Sequence, residues 1–432
     1  MISQIRDGQF KLNEFLMIDN TAKTVDCGKA VDLTPVCVQA NIYESILEPA
    51  VRAQFEFYEA KGAGDKFVFT DKKIIIDFTT DEDNSKSSIR YELYVINKPV
   101  TFNSPDDKAL IYKVECVTYE AWKASTIKNT PLVRKNIECE NMVKAYLNLT
   151  KSNKPFFAEK TRGLHAFNFT EKTPFECIDQ IRLEHAMSQE FNGHCFYFFE
   201  NKYGFVFKSM EALIKEGIKN IGDKCFTQST LTNLNVTGAK WRNILTTKII
   251  QSGNEGILRL IGGGRSTCQL QNSVTGDIIS FQADPKNLQF ETLNEGSASS
   301  NLKAQVEKTE DGNEGAPRAI PFDPTVGNAE RAEKFNHMPY YMSHFLTVVM
   351  QITIYGDSAI TVGDVIHCQL PEAAGLTRGE ENPVNEDSAI TTGNYVVTKC
   401  RHMLTFNEKA EYAQGLELVK DGIGGIPQTH TN

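Results

Sequence analysis

The last stretch of the chain constrains the fold most tightly. It runs Gly356-Asp357-Ser358-Ala359-Ile360-Thr361-Val362-Gly363-Asp364-Val365-Ile366, then Gly393-Asn394-Tyr395-Val396-Val397, then Gly415-Leu416-Glu417-Leu418-Val419-Lys420-Asp421. The Gly-Asp pairs put glycine where a positive φ is cheap and aspartate where its side chain bonds the turn backbone. Val365 to Leu370 and Tyr395 to Cys400 are β-branched and apolar enough to be strands. Leu404 to Lys409 reads as a turn, and Tyr412, Leu416 and Leu418 share one face of the returning strand. This is a run of short antiparallel strands cut by tight turns, and no catalytic constellation is visible in it.

At 432 residues the chain is too long for one core, which points to two to four domains. An apolar share of 41% with 10% aromatics is ample for globular packing. No apolar run approaches the roughly 20 residues of a membrane helix. The longest candidate, Phe345 to Tyr355, contains Gln351 and Thr353 and reads as a strand. The first residues lack a basic region followed by an apolar block, so no signal peptide is expected. The 10 cysteines include no CxxC, a dispersal that suits reduced thiols in a cytoplasmic protein. A net charge of −9 argues against gripping phosphate backbones, and no Lys/Arg cluster interleaved with aromatics appears. An acidic surface suits a protein that nucleic acid slides past, and serves solubility equally well.

Residues 1–128 read as mostly strand. Val51 to Phe57 alternates apolar and polar residues, as do Tyr91, Leu93 and Val95, and Leu110, Tyr112, Val114 and Cys116. Ile74-Ile75-Ile76 fits a strand covered on both faces, and Asp81 to Ser88 a charged hairpin tip. Residues 129–213 change character. Glu138 to Leu149 predicts a helix with Met142, Val143, Tyr146 and Leu147 on one face. A second helix opens with Thr173 as N-cap, Pro174 at the first position and Glu176 closing a capping box, then Ile178, Ile181 and His185 on one stripe. Cys195 to Phe199, a turn at Glu200-Asn201-Lys202, and Tyr203 to Phe207 predict a β-hairpin. The strand pattern returns over 214–421, with Ile244 to Ile250, Ile257 to Leu260 and Asp277 to Phe281. A polar stretch, Asn294 to Ala332, reads as a surface loop or partner-binding arm, and a helix near 329–345 follows it. Residues 422–432 read as a flexible tail. Thr101-Phe102-Asn103 and Thr405-Phe406-Asn407 form an internal echo, each expected at a turn near the end of a β-rich region.

Several residues invite chemistry. Cys400 and His402 lie two apart on a strand and share a face, as metal ligands do. His367-Cys368 and His194-Cys195 are adjacent, so in strands their side chains point oppositely. Packed thiols and a hydrogen-bonded histidine are the preferred reading. Ile261-Gly262-Gly263-Gly264-Arg265-Ser266 lacks the Lys-Ser/Thr of a phosphate loop and reads as a turn. No G-x-S-x-G elbow or specific carboxylate pair is visible, and Glu184-His185 reads as helix surface and core edge. No catalytic, cofactor-binding or metal-binding residue is therefore assigned, and no cofactor is expected. In the Phe-rich hairpin, Phe196 and Phe198 are assigned to the core, with Tyr197 and Phe199 left open as core or partner contact.

Four stretches resemble the baseplate central hub proteins of contractile-tailed bacteriophages. They are Asn41 to Pro49, Thr173 to Leu213, Gly356-Asp357-Ser358 with Val362-Gly363-Asp364, and Gly393 through Arg401-His402 to Asp421. The resemblance implies an α+β, mainly β fold. In it, two tube-like antiparallel β-barrel domains, 1–128 and 214–421, flank the α+β module 129–213. It further implies a homotrimeric ring of quasi-six-fold symmetry, a form that also hides sheet edges. Such a ring joins a hexameric tail tube to a trimeric central spike, alongside other baseplate proteins. DNA would pass through its channel without specific binding. The implied location is the virion tail baseplate, assembled in the host bacterial cytoplasm, without enzymatic activity or membrane anchor. The alternatives are a hub or spike component of a phage-derived secretion or injection device, and a tail-associated cell-wall hydrolase.

Overall fold

The computed structural model describes residues 8–19, 30–59, 71–80, 88–97, 100–103, 110–128, 133–191, 194–228, 242–252, 266–272, 275–283, 291–295, 318–322, 328–370, 391–406, 410–422 and 426–427. The chain opens with strands β1 (Lys11–Asp19), β2 (Val31–Asp32), β3 (Cys37–Ser45), β4 (Arg52–Glu59), β5 (Lys72–Thr79), β6 (Ile89–Val95), β7 (Val100–Asn103) and β8 (Leu110–Thr118). A mixed segment follows: α1 (Tyr119–Thr126), β9 (Arg134–Ile137), α2 (Cys139–Leu149), β10 (Phe156–Ala158), β11 (His165–Phe167), α3 (Pro174–Glu184), β12 (Phe196–Asn201), β13 (Gly204–Ser209) and α4 (Met210–Lys219). Next come β14 (Cys225–Thr227), β15 (Ile244–Ser252), β16 (Ser266–Asn272), β17 (Ile278–Ala283), β18 (Asn294–Glu295) and β19 (Arg318–Phe322). The chain closes with α5 (Asn328–Phe345), β20 (Val348–Tyr355), β21 (Val365–Gln369), β22 (Gly393–Thr405), β23 (Glu411–Lys420) and β24 (Ile426–Pro427).

The fold is mainly β. Strands from both ends of the chain join one curled, 14-stranded and largely antiparallel sheet, ordered β15-β20-β23-β22-β3-β4-β8-β6-β5-β1-β2, with β7, β14 and β21 paired off this path. The join is the pairing of β22 with β3, from Lys399 opposite Ser45 to Thr405 opposite Gln39. Period-two alternation dictates which side each residue takes. In β4, Ala53, Phe55 and Phe57 turn inward while Arg52 and Tyr58 turn to solvent; in β20, Val348, Met350, Ile352 and Ile354 turn inward. Ile74, Ile75 and Ile76 are all buried, as a continuous apolar run requires.

Among the described residues three apolar cores result. One gathers Phe15, Phe55, Ile76, Leu93 and Val114 of the early strands with Leu404 and Tyr412 of the late ones. A second packs Ile354, Val365, Tyr395 and Leu416 against Phe199, Leu213 and Ile214. The third, inside the mixed segment, holds Met142, Tyr146, Ile178, Ile181, Phe196, Phe198 and Phe205. Each such side chain, fully buried, contributes about 1.5–3 kcal/mol.

The capping box forms as expected: the Thr173 hydroxyl accepts from the Glu176 N–H, and the Glu176 carboxylate accepts from the Thr173 N–H at 2.7 Å. The hairpin is β12 paired to β13, with Phe196, Phe198 and Phe199 buried and Tyr197 half-buried. Two expectations need correction. Thr101-Phe102-Asn103 lies within β7, bonded along β8, and not at a turn; its counterpart Thr405 ends β22 with Phe406 just beyond, while Asn407 falls outside the described residues. The polar stretch 294–332 is not loop throughout. Residues 294–295 pair with β24, 318–322 run parallel to β16, and α5 begins at Asn328. Backbone pairing supplies there what side-chain patterning does not. The hairpin tip at 81–87, Ile257 to Leu260, the glycine run at 261–265 and most of 422–432 fall outside the described residues.

Candidate functional site

The turn-rich segment Gly356 to Asp364 lies between β20 and β21, where the early strands, the mixed segment and the closing strands meet. Two glycines let it fit. A Cβ on Gly356 would stand 1.9 Å from a ring carbon of Tyr412, and Gly363 has φ +87° with Phe199 behind it. Ser358 exchanges hydrogen bonds with Thr80: the Thr80 N–H donates to the Ser358 hydroxyl and the Ser358 N–H to the Thr80 hydroxyl, both at 3.0 Å. Lys202 donates to the Ser358 carbonyl and Asn201 to the Val362 carbonyl, at 2.5 and 3.4 Å. The Asp357 N–H donates to Gln414 at 2.8 Å.

Beneath this turn lies a buried carboxylate. Glu44 of β3 accepts at Oε2 from the Thr361 hydroxyl at 2.6 Å and from the Val362 N–H at 3.1 Å. Its Oε1 accepts from the Tyr91 hydroxyl and sits 3.3 Å from Nε2 of His402. On the other side of that ring, Nδ1 lies 2.7 Å from the Tyr412 hydroxyl, and Cys400 Sγ is 3.5 Å from Nε2. Burial works to raise the Glu44 carboxyl, but its contacts with His402, Thr361 and Tyr91 outweigh it and hold the group below the usual range. Burial, with the Glu44 charge behind it, pushes the Cys400 thiol well up.

Cys400 and His402 therefore do share a face, and Glu44 joins them. Both Glu44 oxygens already accept protein hydrogen bonds, and the buried thiol is pushed toward its protonated form. These residues form a satisfied polar network that ties β3 and β6 to β22, β23 and the turn. A second buried carboxylate does similar work: Glu200 of β12 accepts from Thr118 at 2.6 Å and from Lys154, which also bonds Glu120 at 2.7 Å. His367 and Cys368 diverge as expected, with His367 Nδ1 3.0 Å from Asn394. His194 and Cys195 precede β12, both buried, and both meet α5, His194 at His337 and Cys195 at the Met338 carbonyl 3.7 Å away.

The join of β22 to β3 creates one continuous outer face. One row crosses five strands through Lys248, Gln351, Glu417, Lys399 and Ser45 in register. The next crosses through Thr246, Thr353, Gly415, Arg401, Tyr43 and Arg52. The face is polar and of mixed charge, with Lys399 paired to Glu417 at 2.9 Å and Lys113 to Glu56 at 2.8 Å. A groove of about 570 Å³ runs along it. At one end of the sheet, strand β15 exposes Leu245, Ile249 and Ile250.

No protein-family model matches this sequence, and no curated relative matches it. Solved structures do match. The tail protein from Neisseria meningitidis MC58 shares the fold with a TM-score of 0.54 at 9% identity, covering 95% of this chain and 98% of that one. The prophage MuSo2 43 kDa tail protein from Shewanella oneidensis gives 0.53 at 9% identity, covering 94% and 98%. The chain has the fold of phage tail proteins. The likeness runs nearly end to end in both directions, so the tail-protein fold includes the mixed segment as well as the large sheet. At this identity the likeness concerns fold alone.

Proposed function

We propose that the chain is a structural, non-enzymatic subunit of a tail baseplate hub, working as a trimer that adapts three-fold to quasi-six-fold symmetry. The reading rests on one observation above the fold likeness: the β22–β3 pairing, which fuses strands from both ends of the chain into a single sheet with an unbroken polar face. In the hub, that face borders the passage for nucleic acid. Its mixed charges offer water-filled footing without a basic track, and the net charge of −9 discourages lingering on phosphates. The exposed apolar edge at β15 is then covered by a neighbouring copy. Its partners are two further copies, a tail tube protein above and a spike below, in the virion tail. Light scattering on the purified chain, with a peptidoglycan-clearing assay, tests the proposal. A trimer inert on cell wall supports it, and a strict monomer that clears peptidoglycan contradicts it.

A further inference from the structure

Helix α5 carries Glu333 and His337 one turn apart on the same face, an i, i+4 spacing that brings two ligand-type side chains together. Across from them, the chain just before β12 supplies His194. Its Nε2 stands 3.1 Å from Nδ1 of His337, and the three ligand atoms lie within 4.8 Å of one another. Two imidazole nitrogens at that separation fit adjacent corners of a tetrahedron with metal–nitrogen bonds of about 2.0–2.1 Å.

The surroundings are those of a metal pocket. His194 is buried, with Tyr341 edge-on to its ring at 5.2 Å. Among the described residues its Nδ1 has no hydrogen-bond partner, and its Nε2 meets the second imidazole. Two cations stand close, and each is already engaged. Arg162 donates to Oε2 of Glu333 at 2.8 Å and orients the carboxylate as an outer partner does. Lys334 turns away, donating to the carbonyls of Arg182 and Ala186.

We propose that His194, Glu333 and His337 bind one divalent transition-metal ion of the zinc class, clamping α5 to the mixed segment. Two imidazoles and one carboxylate suit zinc, cobalt(II) or nickel(II) and disfavour calcium or magnesium, which want an all-oxygen shell. With three protein ligands, the fourth position is left to water.

The test uses the full chain, stripped with a chelator and titrated with zinc chloride by calorimetry, beside His337→Gln and Glu333→Gln. Both substitutions sit on partly exposed positions and are compatible with folding, which circular dichroism checks. The parent should bind one equivalent, and each variant should bind on the order of a hundred-fold more weakly. Thermal unfolding should rise with zinc in the parent and not in His337→Gln. Cobalt(II) should give a tetrahedral spectrum without thiolate charge transfer, which separates this site from binding at the cysteines. No zinc uptake by the parent, equal uptake by both variants, or a thiolate band would each overturn the proposal.

Discussion

The Thr361 hydroxyl donates a 2.6 Å hydrogen bond to Glu44 across 317 positions of chain. That bond ties the turn between β20 and β21 to a strand from the opposite end of the chain. We predict that Glu44→Ala lowers unfolding free energy by about 3–5 kcal/mol, because four partners lose their acceptor inside a dry core. A denaturant midpoint within error of the parent would refute this.

The same carboxylate sets an acid limit. Its folded-state pKa lies below the ordinary value of 4.5, so its contribution is complete above that value and is lost as pH falls through the folded pKa. Glu44→Gln should therefore flatten the acid limb of a stability–pH curve measured downward from pH about 5. An unchanged limb would assign acid unfolding to other groups.

Glu211 works in the opposite sense. It lies in the first turn of α4, and burial, with Glu159 adding, pushes it up to about 8. A folded pKa above the unfolded 4.5 means stability is greatest below that value and declines as pH rises to about 8. The decline is at most about 1.4 kcal/mol per pH unit. Glu211→Gln should gain on the parent progressively across this window. A constant difference between the two at every pH would contradict the assignment.

Glycine at 356 is required by contact. Gly356→Ala places a methyl group 1.9 Å from the Tyr412 ring, which also holds His402 through its hydroxyl. Overpacking of this kind costs about 1–3 kcal/mol. Chemical denaturation should show the loss, and full stability would mean that the turn and the ring separate freely.

Much of this architecture was legible because it is local. The Thr173–Glu176 box, the inward and outward alternation of β4 and β8 and the Phe-rich hairpin depend on residues a few positions apart. The site was legible only in part. Cys400 and His402 stood out by spacing, whereas Glu44 gave one faint signal, an acidic residue on the inward register of an apolar strand. Its partners come from two other strands, β6 and β22, and a distant turn, and no short window contains them. His194 stands out in the sequence only beside Cys195, whereas its companion in the fold, His337, lies 143 positions away on α5. The Glu-x-x-x-His spacing at 333–337 was the overlooked clue. The Thr-Phe-Asn echo misled as to turns, since three residues carry too little pattern to separate a turn from a strand that pairs with its neighbour.

The edge at β15 bears on assembly. Ile249 and Ile250 are 46% and 50% exposed at the end of the sheet path. Ile250→Asp should leave the fold intact by circular dichroism and dissociate the proposed trimer in light scattering. Retention of the trimer mass would place the subunit contact elsewhere.

The central claim is that three copies form a ring with the polar sheet face toward the passage. Single-particle imaging of the purified chain tests it most directly. The account predicts a particle of three 48.4 kDa subunits with quasi-six-fold projections, Tyr43, Lys399 and Arg401 lining the hole. A monomer, or an assembly that buries the Tyr43–Arg401 face against another subunit, would contradict it.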